Sequence, residues 1–187
     1  MMTQFLASHG ACYAVSVVRG SPNPGHFRLA ARLKASRKQA GLTRMALAEK
    51  ASVSESTALY VETGEQMPAA GTVARLAVAL GLSPAWLAYG LGEPSSEGAA
   101  SSCEGMGERL LKVRTERGLS KAALARLAEL SPGAILGIEN GGQAGVDTVE
   151  RIAKELHISP AWLAYGAGPQ VLPSRRGSRA AQSAADR

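Results

Sequence analysis

Gly41-Leu42-Thr43-Arg44-Met45-Ala46-Leu47-Ala48-Glu49-Lys50-Ala51 is followed by Val53-Ser54-Glu55-Ser56-Thr57 and then by Glu62-Thr63-Gly64-Glu65. This stretch reads as two short helices with a tight break between them. Thr43 and Ser54 stand directly before helical apolar spacing, where a side-chain oxygen can cap an orphan backbone N–H. Gly64 supplies the stop for a chain turning through a left-handed conformation. Leu47, Ala48 and Ala51 line one face of the first helix, and Ala48 is small enough to let two backbones approach. Working outward, Leu29, Leu33 and Ala40 mark an upstream helix that ends at Gly41. Thr72 opens a fourth helix with Leu76 and Leu80, and Ser83-Pro84 places a cap and an N1 proline before a final short helix carrying Trp86.

The whole pattern returns. Gly118-Leu119-Ser120 through Ser159-Pro160-Ala161-Trp162-Leu163-Ala164-Tyr165-Gly166 repeats Gly41 through Gly90, with Ser120, Ser131 and Thr148 at the helix starts and Gly141 at the matching stop. A unit of this length, present twice, is too long for a solenoid repeat and long enough for a small helical domain. The expected fold is therefore all-α, with five short helices per copy and no strand. We assign residues 27–92 to the first domain, 93–106 to a flexible linker rich in Ser, Gly and Glu, and 107–168 to the second domain. Residues 1–26 form an arm expected to be mostly disordered, with Tyr13–Val18 the one strand-like run, and 169–187 form a basic, disordered tail. The turn formers Gly20 to Gly25 should stop regular structure before the first domain.

The chain has 187 residues and a net charge of +6, and no run approaches the length of a membrane span. No basic residue precedes the apolar run Tyr13–Val18 and no cleavage site clearly follows it, so a cytoplasmic location is the expectation. Charge is unevenly placed. Residues 27–92 carry +4, residues 107–168 only +1, the connecting segment −3 and the tail +3. Positive charge concentrated on the first copy and the tail suits an anionic polymer, although a solvated surface has the same signature. Cys12 and Cys103 both fall outside the repeats, which supports neither a disulfide framework nor a thiolate metal site. The chain offers no HExxH, GxSxG, phosphate-cradling GxxxxGK[ST] or paired CxxC, and its three histidines are scattered. We expect no enzyme activity, no metal and no cofactor.

The stretch from Gly41 to Glu65 resembles the Cro/repressor type of helix-turn-helix, the XRE family, and Gly118 through Ile138-Glu139-Asn140-Gly141 is similar. The resemblance implies two tandem, lambda-repressor-like five-helix domains and a transcriptional regulator of bacterial or phage type that binds double-stranded DNA. It also implies an ion pair between an arginine late in helix one and a glutamate ending helix three. The matching residues are Arg37 with Glu62 and Arg114 with Glu139, 25 positions apart in both copies. Phosphate contacts would come from Arg44 and, in the second copy, Lys121, with Lys38, Thr43 and Thr57 in support.

Base edges would be read by Glu55, Ser56 and Tyr60 in the first turns of helix three. The second copy has Pro132, Gly133 and Gly137 there, flanked by Ala134 and Leu136, and none carries a side-chain donor or acceptor. That helix cannot read bases by hydrogen bonding. The second copy is expected to support DNA binding through phosphate or to make a dimer contact. Its asymmetry argues against two reading domains mimicking a symmetric dimer on a palindrome. Trp86 and Trp162 are expected in the core, and Tyr89 and Tyr165 are suited to packing between repeats or protomers. The competing reading is a protein–protein interaction module on the same scaffold with weak or no specific DNA binding, supported by Glu55 at the tip of one reading helix and the apolar surface of the other.

Overall fold

The computed structural model describes residues 24–95 and 102–172, and the strand-like run at Tyr13–Val18 and the arginine-rich end of the tail lie outside them. Among the described residues the fold is all-α, with ten helices and two isolated bridges in place of strands. The first copy comprises α1 (Pro24–Gln39), α2 (Arg44–Lys50), α3 (Glu55–Thr63), α4 (Ala70–Leu80) and α5 (Pro84–Tyr89). The second comprises α6 (Met106–Glu116), α7 (Lys121–Leu127), α8 (Pro132–Glu139), α9 (Val146–Glu155) and α10 (Pro160–Tyr165). No described helix is long and apolar enough to cross a membrane.

The caps anticipated from hydroxyl residues are made. Thr43, Ser54 and Ser83 each accept from a backbone N–H in the first turn of the helix that follows, and Ser120, Ser131 and Ser159 repeat this in the second copy. Three helix starts differ from expectation. Helix α1 begins at Pro24, inside the turn-forming cluster, because proline's fixed φ and missing N–H suit a first helical turn. Helices α4 and α9 begin two residues before Thr72 and Thr148, behind Ala69 and Gly145, with no side-chain cap.

The missing caps are supplied by the other copy. The Ala70 N–H donates to the Ala144 carbonyl at 2.8 Å, and the Val146 N–H donates to the Pro68 carbonyl at 3.1 Å. These bonds form an antiparallel bridge between Ala69 and Gly145. The orphan N–H groups that any helix start must satisfy are thus met by a neighbouring backbone. The tyrosines follow the same exchange. Tyr165 Oη donates to the Ala70 carbonyl at 3.1 Å and Tyr89 Oη donates to the Val146 carbonyl at 3.4 Å, with the two rings tilted at 48° and 6.3 Å between centroids. Each contact made by one copy is returned by the same repeat position of the other, which is the signature of an isologous, two-fold interface. The chain therefore folds on itself as a dimer would, with Tyr89 and Tyr165 packing between the repeats as their type suggested. The copies differ on α3 and α8, whereas Tyr89 and Tyr165 are the same residue in both and the remaining interface bonds are made by backbone groups whatever the side chain.

Buried side chains of both copies form one continuous core, from Leu29 and Leu33 through Val73, Leu76 and Leu87 to Leu110, Ile135, Ile152, Leu163 and Tyr165. Trp86 and Trp162 pack against it while half-buried. The ends of the linker and tail are tied as well. The Ser83 N–H donates to the Pro94 carbonyl at 2.9 Å, and the Ser159 N–H donates to the Gln170 carbonyl at 2.7 Å. Residues 93–95 and 169–172, expected to be flexible, thus begin as folded extensions of α5 and α10, because the short helices leave N-terminal groups that a returning chain can satisfy.

Candidate nucleic-acid interface

The turn between α2 and α3 spans Ala51 to Ser54 and that between α7 and α8 spans Ala128 to Ser131. Each needs one residue in the left-handed region, and Ser52 (φ 52°) and Glu129 (φ 54°) occupy it. Such a conformation costs an L-residue about 1–2 kcal/mol, and something must hold it. Arg75 Nη1 donates to the Ser52 carbonyl at 3.1 Å from α4, and Arg151 Nη1 donates to the Glu129 carbonyl at 3.3 Å from α9. These two arginines went unnoticed in the sequence, although their shared repeat position was the available signal.

A second clamp fixes the reading helix from its far end. Arg37 Nε and Nη2 donate to the two oxygens of Glu62, the latter at 3.2 Å, while Nη1 donates to the Leu42 carbonyl at 2.7 Å. In the second copy Arg114 Nε and Nη2 lie 2.6 and 3.3 Å from the Glu139 carboxylate, and Nη1 lies 2.7 Å from the Leu119 carbonyl. One planar guanidinium thereby joins the end of the first helix, the start of the second and the end of the third, a three-way geometry that arginine's fork permits. The hydrogen bonds to Glu62 raise the Arg37 pKa above its ordinary value, outweighing the opposite effect of burial. Its charge is permanent. Arg32 and Arg109 play a further structural part, each donating through Nε and Nη2 to the last carbonyls of α5 or α10, with burial lowering both pKa values.

The residues expected to touch DNA are distributed as follows. Glu55 and Ser56 are exposed on the first turn of α3, Thr57 is half-buried beside them, and Tyr60 is half-buried one turn on. Ser54 Oγ lies 2.9 Å from Ser56 Oγ and 2.7 Å from Thr57 Oγ1, so three hydroxyls cluster at the start of the helix. Lys38 is exposed at the end of α1. Thr43 is engaged as the cap of α2, its oxygen accepting from Ala46 at 3.1 Å. Arg44 leans on the clamp, with Nε 3.3 Å from Glu62 Oε2, yet its side chain remains 45% exposed. Lys121 occupies the matching place, 3.6 Å from Glu139 Oε2.

The outer surface of α8 is bare of polar side chains. Pro132, Gly133, Leu136 and Gly137 are exposed and Ala134 is half-buried, while Ile135 and Ile138 face the core. Around it the second copy presents exposed Arg117 and Arg126, where the first has Ala40 and Glu49.

Comparison with protein families agrees with this geometry. A family model described as a helix-turn-helix domain matches residues 28–88, and a second, described as helix-turn-helix, matches residues 110–163. No solved structure matches the chain. With both copies matched, with ten helices in the expected order and with the two-helix reading unit present in each, the chain belongs to the Cro/repressor-type, XRE family of helix-turn-helix DNA-binding transcriptional regulators, carrying two such domains in tandem.

Proposed function

We propose that the first copy places α3 in the major groove of double-stranded DNA, with Glu55, Ser56 and Tyr60 at base edges. Serine bonds either base or backbone, glutamate accepts from the cytosine amino group, and tyrosine offers a hydroxyl. Arg44, Lys38, Thr43 and Thr57 hold phosphates and set the helix in register. The observation that carries this reading is the exposed polar first turn of α3, held rigid at one end by the Arg75 contact to the turn and at the other by the Arg37–Glu62 fork. Rigid support of this kind is what base recognition by a single helix requires. The second copy supports binding through Lys121 and its neighbours, and the protein acts as a regulator of transcription in the bacterial cytoplasm.

The test separates phosphate from base roles. Arg44→Ala is expected to weaken binding to every sequence alike and to lower the salt slope by about one unit. Tyr60→Ala and Ser56→Ala are expected to change sequence preference, with discrimination at one base pair falling by about 1–3 kcal/mol. Equal losses on specific and random DNA from Tyr60→Ala would defeat the base-reading assignment. A salt-independent complex with another protein, alongside DNA affinity no better than random, would favour the interaction-module reading, for which the exposed Leu136 on α8 and Leu127 on α7 speak.

A further inference from the structure

We infer that the ligand of this chain is an asymmetric, two-part DNA site, bound by one chain, with one half read by α3 and the adjoining half gripped through its backbone by the second copy. This rests on the DNA-binding reading above and goes further in naming the form of the site. Three observations carry it.

The first is the reciprocal interface. The Ala70–Ala144 and Val146–Pro68 backbone bonds, with the crossed tyrosine bonds, relate the copies by a two-fold operation within a single chain. That operation puts α8 where the second subunit of a dimer would put its reading helix. Half-sites for paired helix-turn-helix units lie about one helical turn of DNA apart. The same interface packs α5 against α10 within the one chain.

The second is the chemistry of α8. Its exposed positions, Pro132, Gly133, Leu136 and Gly137, hold no hydrogen-bonding side chain, and a methyl group added at Gly137 would meet nothing within 4 Å. A smooth helix of this kind can lie against a groove without selecting bases. The third is the charge beside it. Lys121, Arg117 and Arg126 surround this helix-turn-helix, and two of them replace Ala40 and Glu49 of the first copy. Thr115 and Leu127 stand where the first copy has Lys38 and Lys50, so the second copy keeps as many cations as the first while losing its base readers, which suits contact with the DNA backbone, and Glu116 and Glu129 keep that grip modest.

The experiment uses the full chain and duplexes recovered by it from a randomised pool. Hydroxyl-radical footprinting is expected to show two protected blocks about ten base pairs apart with a sequence motif in only one, and titration to show one chain per duplex. Scrambling the motif-free block should change affinity about two-fold or less, whereas cutting the duplex short of that block should cost about ten-fold or more. Lys121→Ala with Arg126→Ala should weaken binding equally for every sequence in that block and lower the salt slope. A motif in both blocks, a single protected block or two chains per duplex would overturn the inference while leaving the DNA-binding reading intact. Absence of any motif and any protection would overturn both.

Discussion

Glu62→Gln removes one negative charge from a site where its partner is largely withdrawn from water. The Glu62 side chain is 3% exposed and that of Arg37 is 11% exposed, so the variant leaves a guanidinium buried with a neutral amide in place of a carboxylate. Two acceptors remain, the amide oxygen of the new glutamine and the Leu42 carbonyl at 2.7 Å, but neither carries a charge. Breaking a buried pair by removing one partner costs about 3–5 kcal/mol, against about 0–1 kcal/mol for an exposed pair. In a small domain whose total stability is about 5–15 kcal/mol, that loss is a large fraction of the whole. Urea unfolding followed by circular dichroism, at low and high salt, measures it, and the buried pair should be almost insensitive to screening. The double variant Arg37→Met with Glu62→Leu supplies the control. It removes both charges and should recover to within about 1–2 kcal/mol of the parent, since an apolar pair of similar volume avoids the desolvation cost. A loss below about 1 kcal/mol for Glu62→Gln, or a double variant as unstable as the two single losses added together, would refute the buried-clamp argument.

Burial raises the hydroxyl pKa of Tyr89 and Tyr165 well above the ordinary 10.0, so their contribution to stability is intact below pH 10.0 and lost as pH climbs beyond it, where unfolded tyrosines ionise first. Tyr89→Phe with Tyr165→Phe should flatten that alkaline decline in thermal melts while costing about 1 kcal/mol per lost bond at neutral pH. Gly107→Ala should destabilise by about 1–3 kcal/mol, because the added carbon would sit 2.5 Å from the Ile138 carbonyl oxygen and 2.8 Å from that of Glu139, both backbone atoms. Gly137→Ala, with nothing near it, should instead stabilise by about 0.5–1 kcal/mol through helix propensity, and calorimetry of the two variants compares them directly. Ser52→Gly should raise stability by about 1 kcal/mol by relieving the positive φ at the turn, read in the same melts.

The helix count and order were legible because seven of the ten described starts carry a hydroxyl or proline and most stops carry a glycine, which are local signals. The Arg37–Glu62 and Arg114–Glu139 pairs came from the family resemblance and a shared spacing. What composition and periodicity missed depends on residues far apart in the chain. The starts of α4 and α9 were misplaced because their caps are backbone carbonyls from the other copy. Arg75 and Arg151 act on carbonyls, which carry no sequence signature at all. Tyr89 and Tyr165, the same residue in both copies, were legible as packing residues between repeats, whereas the backbone bonds beside them carry no signature in the sequence. Repeat positions kept in both copies were the better guide to structure, and positions changed between them the better guide to the division of labour.

The most direct test of the central claim is selection of the full chain against a randomised duplex library at near-physiological salt, with the recovered sequences read out. Sequence-specific reading by α3 predicts enrichment of a short motif that Tyr60→Ala or Ser56→Ala alters and Arg44→Ala leaves unchanged at reduced affinity. Recovery of random sequences, or of a motif indifferent to every substitution on α3, would contradict it.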